Sequence, residues 1–273
     1  MEGSRTIEVN GTYLTVMPND SGISKELKIF GNHEPLGVRL LASALREGMT
    51  CIDIGANIGF YAVLEGKIVG RGGKVIAIEP SPVSYGYLMR NLSMNKVSFE
   101  AYNIAISDVD SEVLFKVDRR YSNWSRVTSS SELSDGDVIP VQAMTLDTLL
   151  SRLRLDRVNL VRMDVEGHEA RIARGWNETI RRFKPILFVE VHRDIGKSRI
   201  MDFLRFLVQE GYGKSSYIER RINEPLLARN EDIRETTVSE LLERFGAGQV
   251  LPTYFHLFAW PEHALTGQAP DSP

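Results

Sequence analysis

The chain has 273 residues, of which 42% are hydrophobic and 25% charged, and its formal net charge is −3. This composition is typical of a soluble globular protein with one large domain, and no apolar stretch reaches the ~18 residues of a membrane span. The charge excludes a general attraction to nucleic acid. Cys51 is the only cysteine, which excludes a disulfide framework and predicts a reducing, cytoplasmic location.

The first part of the chain predicts a short N-terminal β extension followed by alternating strands and helices. The extension covers residues 1–30, and within it an alternating pattern from Thr6 to Val16 predicts a hairpin around Asn10-Gly11. The next predicted elements are a helix, a strand, a helix, a strand, a helix and a strand, at Pro35–Arg46, Met49–Ile54, Gly59–Ile68, Lys74–Ile78, Pro82–Asn95 and Val97–Ala105.

The alternation continues after an irregular insert. Two β-like runs, Glu112–Val117 and Asp137–Ala143, flank a polar loop. The elements after them are helix Leu146–Leu153, strand Val158–Met163, helix Glu169–Gly175, strand Ile186–Val191, helix Arg199–Gly211 and strands Ser215–Ile218 and Tyr254–Trp260. This order predicts an α/β domain over residues 31–261 with a doubly wound, mostly parallel sheet. The polar residues 262–273 predict a disordered tail.

The segment C-I-D-I-G-A-N-I-G-F-Y, at 51–61, ends the first central strand and continues into a glycine loop. A dinucleotide fingerprint that begins at Gly55 needs glycine at positions 57 and 60, where this chain has Asn57 and Phe60. The carboxamide of Asn57 suits a small zwitterionic group better than a diphosphate. A second acid, Glu79, ends the next strand at the spacing of a ribose-binding acid. The pattern therefore predicts S-adenosylmethionine, with its ammonium group met by Asp53 directly or through water; a plain strand–turn–helix junction is the alternative.

The candidate cofactor-binding residues lie at the carboxyl ends of the predicted strands, where doubly wound sheets bind their ligands. Glu34 precedes the first helix and is placed to reach the methionine end of the cofactor, with helix capping as the alternative. Asn103 and Ile104 are placed to flank the adenine. The full set is Glu34, Asp53, Gly55, Ala56, Asn57, Gly59, Phe60, Tyr61, Glu79, Pro80, Ser81, Asn103, Ile104, Ala105 and Asp164.

The polar loop between the two β-like runs is a candidate for acceptor binding. Its Tyr121, Asn123 and Trp124 stand among serines, and Arg119 and Arg120 at its start suit an anionic acceptor. We predict that this loop forms a lid over the acceptor, a plain connector being the alternative.

Two later strand ends carry candidate catalytic residues. Asp164 and Glu166 follow one strand, and Glu190 and His192 end the next. A hydroxyl acceptor must lose a proton, and imidazole titrates near neutral pH, so His192 is the preferred base. The alternatives are that one of the three acids is the base, and that His192 only caps the strand end or bonds to the D-V-E-G loop. The same four residues suit Mg²⁺ or Mn²⁺. A divalent metal is therefore possible, but their spacing is not diagnostic and no metal site is predicted.

The order of these motifs resembles the FkbM family of S-adenosylmethionine-dependent methyltransferases. The matching segments are N-H-E-P at 32–35, D-I-G-A-N-I-G-F-Y at 53–61, I-E-P-S-P at 78–82, A-I-S-D at 105–108, T-L-D-T-L-L at 145–150, R-M-D-V-E-G-H-E at 162–169 and V-E-V-H at 189–192. The chain departs from the family pattern at Arg162, where lysine is usual, and at His168, where a small residue is usual. Residues 219–250 carry no motif of the family.

The resemblance implies a class I, Rossmann-like methyltransferase fold, with helices on both faces of a seven-stranded sheet whose last strand is antiparallel. It also implies methyl transfer, most often to a hydroxyl of a sugar, polyketide or other metabolite, with S-adenosylhomocysteine as product. The expected acceptor is a small molecule or glycan, and methylation of RNA or protein is the alternative. A non-enzymatic cofactor-binding protein is disfavoured because Asp53 and Glu79 are both present.

Overall fold

The computed structural model describes residues 3–128, 137–193, 196–220, 232–248, 252 and 254–262. The tail predicted to be disordered lies outside the described residues from position 263 onward. So do residues 129–136 of the predicted lid and residues 221–231, 249 and 250 of the segment without a family motif. Within the described ranges, no helix has the length and apolar character that crossing a membrane requires.

The described strands and helices follow the predicted alternation. The strands are β1 (Arg5–Val9), β2 (Thr12–Val16), β3 (Thr50–Ile54), β4 (Lys74–Ile78), β5 (Phe99–Tyr102), β6 (Ala105–Ile106), β7 (Glu112–Val117), β8 (Arg126–Thr128), β9 (Asp137–Met144), β10 (Leu160–Met163), β11 (Ile186–His192), β12 (Tyr212–Arg220), β13 (Ile233–Thr237) and β14 (Tyr254–Pro261). The helices are α1 (Ile23–Phe30), α2 (Pro35–Ala44), α3 (Phe60–Val69), α4 (Pro82–Met94), α5 (Leu146–Leu153), α6 (Glu169–Ile172), α7 (Asn177–Phe183), α8 (Lys197–Gln209) and α9 (Val238–Gly246), with a 3₁₀ turn at Ser122–Trp124.

The main sheet has the strand order β13-β12-β14-β11-β10-β3-β4-β5. Strands β5, β4, β3, β10 and β11 pair in parallel, and β14 is antiparallel to both β11 and β12. The α/β class, the mostly parallel sheet and the antiparallel late strand are thus confirmed. The described sheet has eight strands rather than seven because β13 adds an antiparallel edge strand beside β12. Both β13 and α9 come from the segment for which the sequence predicted no element.

The central strands are buried on both faces because helices cover the sheet on each side, as a parallel sheet requires. Ile52 of β3 and Val161 of β10 are 0% exposed. One apolar layer joins the sheet to α2, α3 and α4, and the other joins it to α5, α7, α8 and α9. This packing fixes the carboxyl ends of β3, β4, β10 and β11 side by side, where the candidate residues lie.

The N-terminal extension packs directly on the α/β domain. The predicted hairpin is present as β1 and β2, and its Tyr13 and Thr15 N–H groups donate to the carboxamide oxygens of Asn95 and Asn91 at 3.0 and 2.7 Å. Helix α1 was not predicted, because it has only two turns and buries few apolar side chains, Leu27 among them. The boundary at residue 30 stays a prediction.

Two predicted elements are divided in the structure. The strand predicted over Val97–Ala105 ends at Tyr102, and β6 pairs instead with β9 in a second sheet of order β6-β9-β7-β8. Between them, the Asn103 carboxamide donates to the Glu79 and Pro80 carbonyls at 2.8 and 3.0 Å, which holds the chain in a turn. The helix predicted over Glu169–Gly175 ends after α6, and α7 follows it as a separate helix.

Candidate active site

A cavity opens at the carboxyl ends of β3, β4 and β10. Counted with the open solvent at its mouth, the space between its walls is about 780 Å³. The second sheet and α1 provide its other walls. The predicted site residues that line it are Gly55, Ala56, Asn57, Phe60, Tyr61, Glu79, Pro80, Ile104, Ala105, Asn123, Asp164 and Glu166.

The glycine loop owes its shape to left-handed backbone conformations. Gly55 has φ +81°, and a Cβ there would lie 1.9 Å from the Asp164 carbonyl oxygen, so β10 can approach the loop only if this residue is glycine. Asn57 is also left-handed, with φ +50°. Its side-chain oxygen accepts from the Ile58 N–H at 2.8 Å and from the Ser122 hydroxyl at 3.3 Å. The carboxamide thus joins the loop to the 3₁₀ turn above it.

Glu79 faces the glycine loop from the end of β4. The Asn57 N–H donates to its Oε2 and the Ser81 N–H to its Oε1, both at 2.8 Å. Burial raises the pKa of Glu79 to about 7, although both N–H groups favour the ionised form. A carboxylate oxygen has a second lone pair, so each can still accept a hydrogen bond from a ligand hydroxyl. Glu79 is therefore a fixed acceptor on the cavity wall.

Arg162 occupies the position beside Asp53 at which a ligand ammonium group was expected. Asp53 is 0% exposed and lies off the cavity wall. The Arg162 guanidinium donates to Asp53 and to Asp164 at 2.9 Å each, and it lies 4.0 Å from the ring centroid of Tyr61. The Asp53 carboxylate is thus turned toward Arg162, and its direct contact with the ammonium group stays a prediction. An indirect role of Asp53 stays a prediction.

The arrangement around His192 weighs against this residue as a neutral base. His192 lies off the cavity wall, with Nδ1 2.7 Å from Glu169 Oε1 and Nε2 3.2 Å from Glu166 Oε2 and 3.6 Å from Glu190 Oε1. Burial lowers the pKa of His192, but these three carboxylates together raise it well above its ordinary value. Glu166 stands between His192 and the cavity, so it is the better placed of the two for proton transfer.

Glu34 and Glu190 belong to a buried cluster behind the cavity wall. The Tyr61 hydroxyl donates to Glu34 Oε2 at 2.9 Å, and His256 Nε2 lies 3.5 Å from Glu34 Oε1 and 3.3 Å from Glu190 Oε2. Glu34 thus contacts Tyr61 and His256, and its contact with the methionine end of the cofactor stays a prediction. His256 was missed, since a single histidine within the apolar run Y-F-H-L-F-A-W gives no signal of a site.

The remaining predicted cofactor residues off the wall have structural contacts. Ser81 caps α4, because its hydroxyl accepts from the Ser84 N–H at 3.4 Å. Gly59, with φ +88°, precedes α3, and a Cβ there would lie 2.8 Å from Leu88 Cδ1. The carboxamide of Asn103 holds the turn after β5, and the adjacent Ile104 reaches the cavity.

The described part of the predicted lid roofs the glycine loop. Tyr121 and Trp124 stack with ring centroids 4.2 Å apart, and Asn123 lies on the cavity wall. The Ser122 N–H donates to Asp20 Oδ1 at 2.9 Å, which ties the 3₁₀ turn to the chain before α1. The N-terminal extension therefore positions this roof, a contact that no local pattern indicates. Its role in acceptor binding stays a prediction.

Several wall residues were not predicted to belong to the site. They are Ile23, His33, Ile54, Ile78, Ile106, Phe115, Ser122, Ser125, Arg126, Val127, Arg162, Val165 and His168. Five of them come from α1 and the second sheet, whose position over the cavity is a tertiary feature. His168 was noted as a departure from the family pattern; its Nε2 lies 3.0 Å from the Ser107 hydroxyl. Burial, with Arg171 nearby, lowers its pKa to about 4, so it lines the cavity as a neutral ring.

Comparisons with known proteins agree with the motifs. The sequence model of the methyltransferase FkbM domain matches residues 53–214, which hold the glycine loop, Glu79 and the D-V-E-G segment. Among curated proteins, the hexuronic acid methyltransferase AglP of Haloferax volcanii is 23% identical over 167 residues, covering 61% of this chain and 66% of that protein.

Among solved structures, the methyltransferase FkbM from Methylobacillus flagellatus KT aligns with a TM-score of 0.47 and 13% identity, over 80% of this chain and 45% of that one. A putative rRNA-methylase from Clostridium thermocellum aligns with a TM-score of 0.46 and 11% identity, over 85% of this chain and 97% of that one. The chain thus spans just under two thirds of the haloarchaeal protein and under half of the Methylobacillus one.

Proposed function

The chain belongs to the FkbM methyltransferase family, and we propose that it transfers a methyl group from S-adenosylmethionine to a hydroxyl of a small molecule or sugar. One observation carries the choice of cofactor. Asn57 stands where a dinucleotide site has glycine, and its backbone N–H is bonded to Glu79 on the opposite side of the cavity mouth. The pair offers polar groups for a zwitterion and an acceptor for ribose hydroxyls within one rigid frame.

The chemistry of the wall fits this cofactor. Glu79 has an acceptor position left on each carboxylate oxygen, which suits the two hydroxyls of a ribose. Pro80, Ile104 and Ala105 provide an apolar surface for a purine. The carboxamide of Asn57 has donors for a carboxylate. When bound, S-adenosylmethionine supplies a methyl group already activated by its sulfonium.

We assign proton removal to Glu166. Its side chain lies on the wall and is 24% exposed, whereas His192 lies behind it, 3.2 Å away. On methylation of a hydroxyl, the acceptor oxygen would bond to the methyl carbon as the sulfur–methyl bond breaks and the neutral thioether S-adenosylhomocysteine leaves, and the hydroxyl proton would pass to a Glu166 carboxylate oxygen. His192 then acts as a positioning residue that holds this carboxylate toward the cavity, and Asp164 is the second candidate base.

A sugar acceptor is supported by the haloarchaeal relative, whose name gives a hexuronic acid as its substrate. The cavity wall of this chain carries the Arg126 guanidinium on β8, a charge that suits the carboxylate of such a sugar. An acceptor screen with the purified chain and radiolabelled S-adenosylmethionine distinguishes a sugar acceptor from the alternative of RNA or protein. The cytoplasmic location predicted from the single cysteine stays a prediction.

Calorimetry tests the choice of cofactor. We expect S-adenosylhomocysteine to bind in the micromolar range or tighter and NAD to show no saturable binding. Tight binding of NAD, or no binding of S-adenosylhomocysteine by the folded chain, would contradict the proposal.

A matched pair of variants tests the role of Glu79. Glu79→Ala removes the acceptor of the ribose hydroxyls, and because hydrogen bonds to a charged group contribute ~1.5–3 kcal/mol, affinity for S-adenosylhomocysteine should fall roughly 10- to 100-fold. The control is Glu100→Ala, which removes a partly exposed acid on β5 paired with Lys74. Equal losses in the two variants would show that Glu79 is not a specific ligand.

A further inference from the structure

A second polar cluster lies behind the cavity wall, where α2, β11 and β14 meet. Glu34 comes from the residue before α2, Glu190 from β11 and His256 from β14. The three are 6%, 8% and 2% exposed. One side-chain N or O atom from each lies within 4.8 Å of the other two. Three elements far apart in the chain thus direct ligand-type atoms at one buried point.

The distances in this cluster match the spacing of metal ligands. His256 Nε2 is 3.5 Å from Glu34 Oε1 and 3.3 Å from Glu190 Oε2, to which it makes one long hydrogen bond. Neighbouring ligand atoms around a four-coordinate ion with bonds of ~2.1 Å lie ~3.4 Å apart. The imidazole Nε2 has one proton for two carboxylates, whereas a cation would bind an oxygen from each of them together with the imidazole nitrogen.

Residues around the cluster hold its ligand atoms in place. The Tyr61 hydroxyl donates to Glu34 Oε2 at 2.9 Å, which turns Oε1 toward His256. Metal-binding side chains are commonly oriented by such outer hydrogen bonds. Gly37 of α2 makes the room, because a Cβ there would lie 2.6 Å from the Tyr61 hydroxyl and 3.6 Å from His256 Nδ1.

We propose that Glu34, Glu190 and His256 bind one divalent transition-metal ion, with Mn²⁺ and Zn²⁺ as the ions to be tested. Imidazole favours Zn²⁺ and carboxylates favour Mn²⁺, so this mixed set suits either ion. None of the three residues lies on the cavity wall. The ion would therefore connect α2 to β11 and β14 behind the part of the cavity wall that carries Glu166. Its binding does not depend on the proposed methyl transfer.

The surrounding charges favour a cation at this point. Glu190 Oε1 lies 3.6 Å from His192 Nε2, and the His192 ring also contacts the carboxylates of Glu166 and Glu169. His33 Nε2 lies 3.7 Å from Glu34 Oε1. Asp164 and Arg162 form a separate ion pair beside the cluster. Glu34 and Glu190 bring two buried carboxylates to this point, and a buried carboxylate is costly unless a cation compensates it.

Metal content of the folded, tag-free chain tests the proposal. After treatment with EDTA and dialysis, the protein is titrated with Mn²⁺, followed by electron paramagnetic resonance, and with Zn²⁺, followed by elemental analysis. We expect about one ion of at least one metal per chain, and a melting temperature raised by roughly 5–10 °C at 100 times the dissociation constant. If the folded wild-type chain binds neither metal, the proposal is overturned, and His256 is instead an imidazolium paired with Glu34 and Glu190.

Three variants decide whether the metal binds at this cluster. His256→Gln and Glu34→Gln should each weaken binding by at least about 100-fold, and Tyr61→Phe, which keeps the ligands, by roughly 10- to 100-fold. The matched control is His168→Asn, which removes another buried histidine outside the cluster and should bind metal as the wild type does. Binding that survives in folded His256→Gln, or is lost equally in the control, overturns the assignment. Should one ligand variant fail to fold, the other and Tyr61→Phe still give the answer.

Discussion

The two ends of the cavity hold their carboxylates in different ways. At the cofactor end, Glu79 accepts two backbone N–H groups, from Asn57 and Ser81, that the glycine loop and the start of α4 present. At the acceptor end, Glu166 and Glu190 face imidazole rings, chiefly that of His192. A backbone N–H does not titrate and remains when its side chain is substituted, whereas an imidazole titrates and is lost on substitution. The cofactor end is therefore fixed by local chain geometry, and the acceptor end by distant side chains.

The largest effect should come from the acceptor end. Glu166→Gln keeps the size of the side chain but removes the proposed base, and general bases contribute ~10²–10⁴-fold to rate. Once an acceptor is identified, kcat should fall by about that factor while affinity for S-adenosylhomocysteine changes little. Steady-state kinetics together with calorimetry would measure both.

The comparison variant for Glu166 is Asp164→Asn, which alters the other acid on the wall. If Asp164→Asn lowers kcat and Glu166→Gln does not, the base is Asp164 and the proposed proton transfer is wrong. His192→Gln should lower kcat less than Glu166→Gln, because His192 acts through Glu166, and it should alter the pH profile of kcat.

The link between the two ends should give the next largest effect. Arg162→Met leaves the buried carboxylates of Asp53 and Asp164 without their shared cation. Removing one member of a buried ion pair costs about 3–5 kcal/mol, and the free energy of unfolding should fall by that amount in urea denaturation. Arg162→Lys, the residue usual in the family at this position, keeps the charge and should lose less. Equal stability of Arg162→Met and wild type would mean that both acids are protonated in the folded chain.

The difference between the ends explains what the sequence could predict. Gly55, Asn57 and Glu79 act within one strand–loop–helix–strand unit, so their spacing alone indicated the cofactor site. No spacing indicated that carboxylates from another loop and strand would raise the pKa of His192, and its role as base stays a prediction. His256 gave no pattern at all, since Glu190 meets it only through the pairing of β11 with β14 and Glu34 reaches it from the residue before α2.

The fold itself was predictable where periodic segments are long, and less so where short elements depend on tertiary contacts. The central strands are apolar enough to be recognised without the structure. Helix α1 instead depends on Asp20, whose carboxylate accepts from the Ser24 N–H at 2.8 Å and also from the 3₁₀ turn. Strand β13 forms because β12 offers a free edge, and no motif marks either feature.

A buried acid on α3 gives a smaller, pH-dependent test of the cofactor end. Glu65 is 0% exposed, and in the described part of the chain neither carboxylate oxygen has a hydrogen-bond partner. Burial raises its pKa well above 4.5, with Asp53 adding to the effect. The folded chain thus keeps a proton that the unfolded chain releases above pH 4.5, so stability falls as pH rises from 4.5 toward the folded pKa. Glu65→Met removes this loss.

We therefore expect Glu65→Met to exceed the wild type in free energy of unfolding at pH 8 by about 1–3 kcal/mol and to exceed it less at pH 5. Urea denaturation at the two pH values measures the difference, and Glu8→Met, on the exposed face of β1, serves as the surface control. A pH-independent gain would show that packing, and not ionisation, separates the two proteins.

The smallest effect concerns the ionisation of Glu79 itself. Because the pKa of Glu79 is about 7, only about a tenth of the chains carry the carboxylate at pH 6, whereas most of them carry it at pH 8. Ribose hydroxyls donate to the ionised form, so affinity for S-adenosylhomocysteine should rise about tenfold from pH 6 to pH 8 and then level off. The control is calorimetry on Glu79→Gln, whose side chain does not titrate, and it shows any pH dependence that comes from the ligand. Its affinity for S-adenosylhomocysteine should be lower and should not change with pH. The same slope in both proteins would show that the titrating group is elsewhere. It would also contradict the claim that backbone N–H groups at this end hold a carboxylate ready for the cofactor.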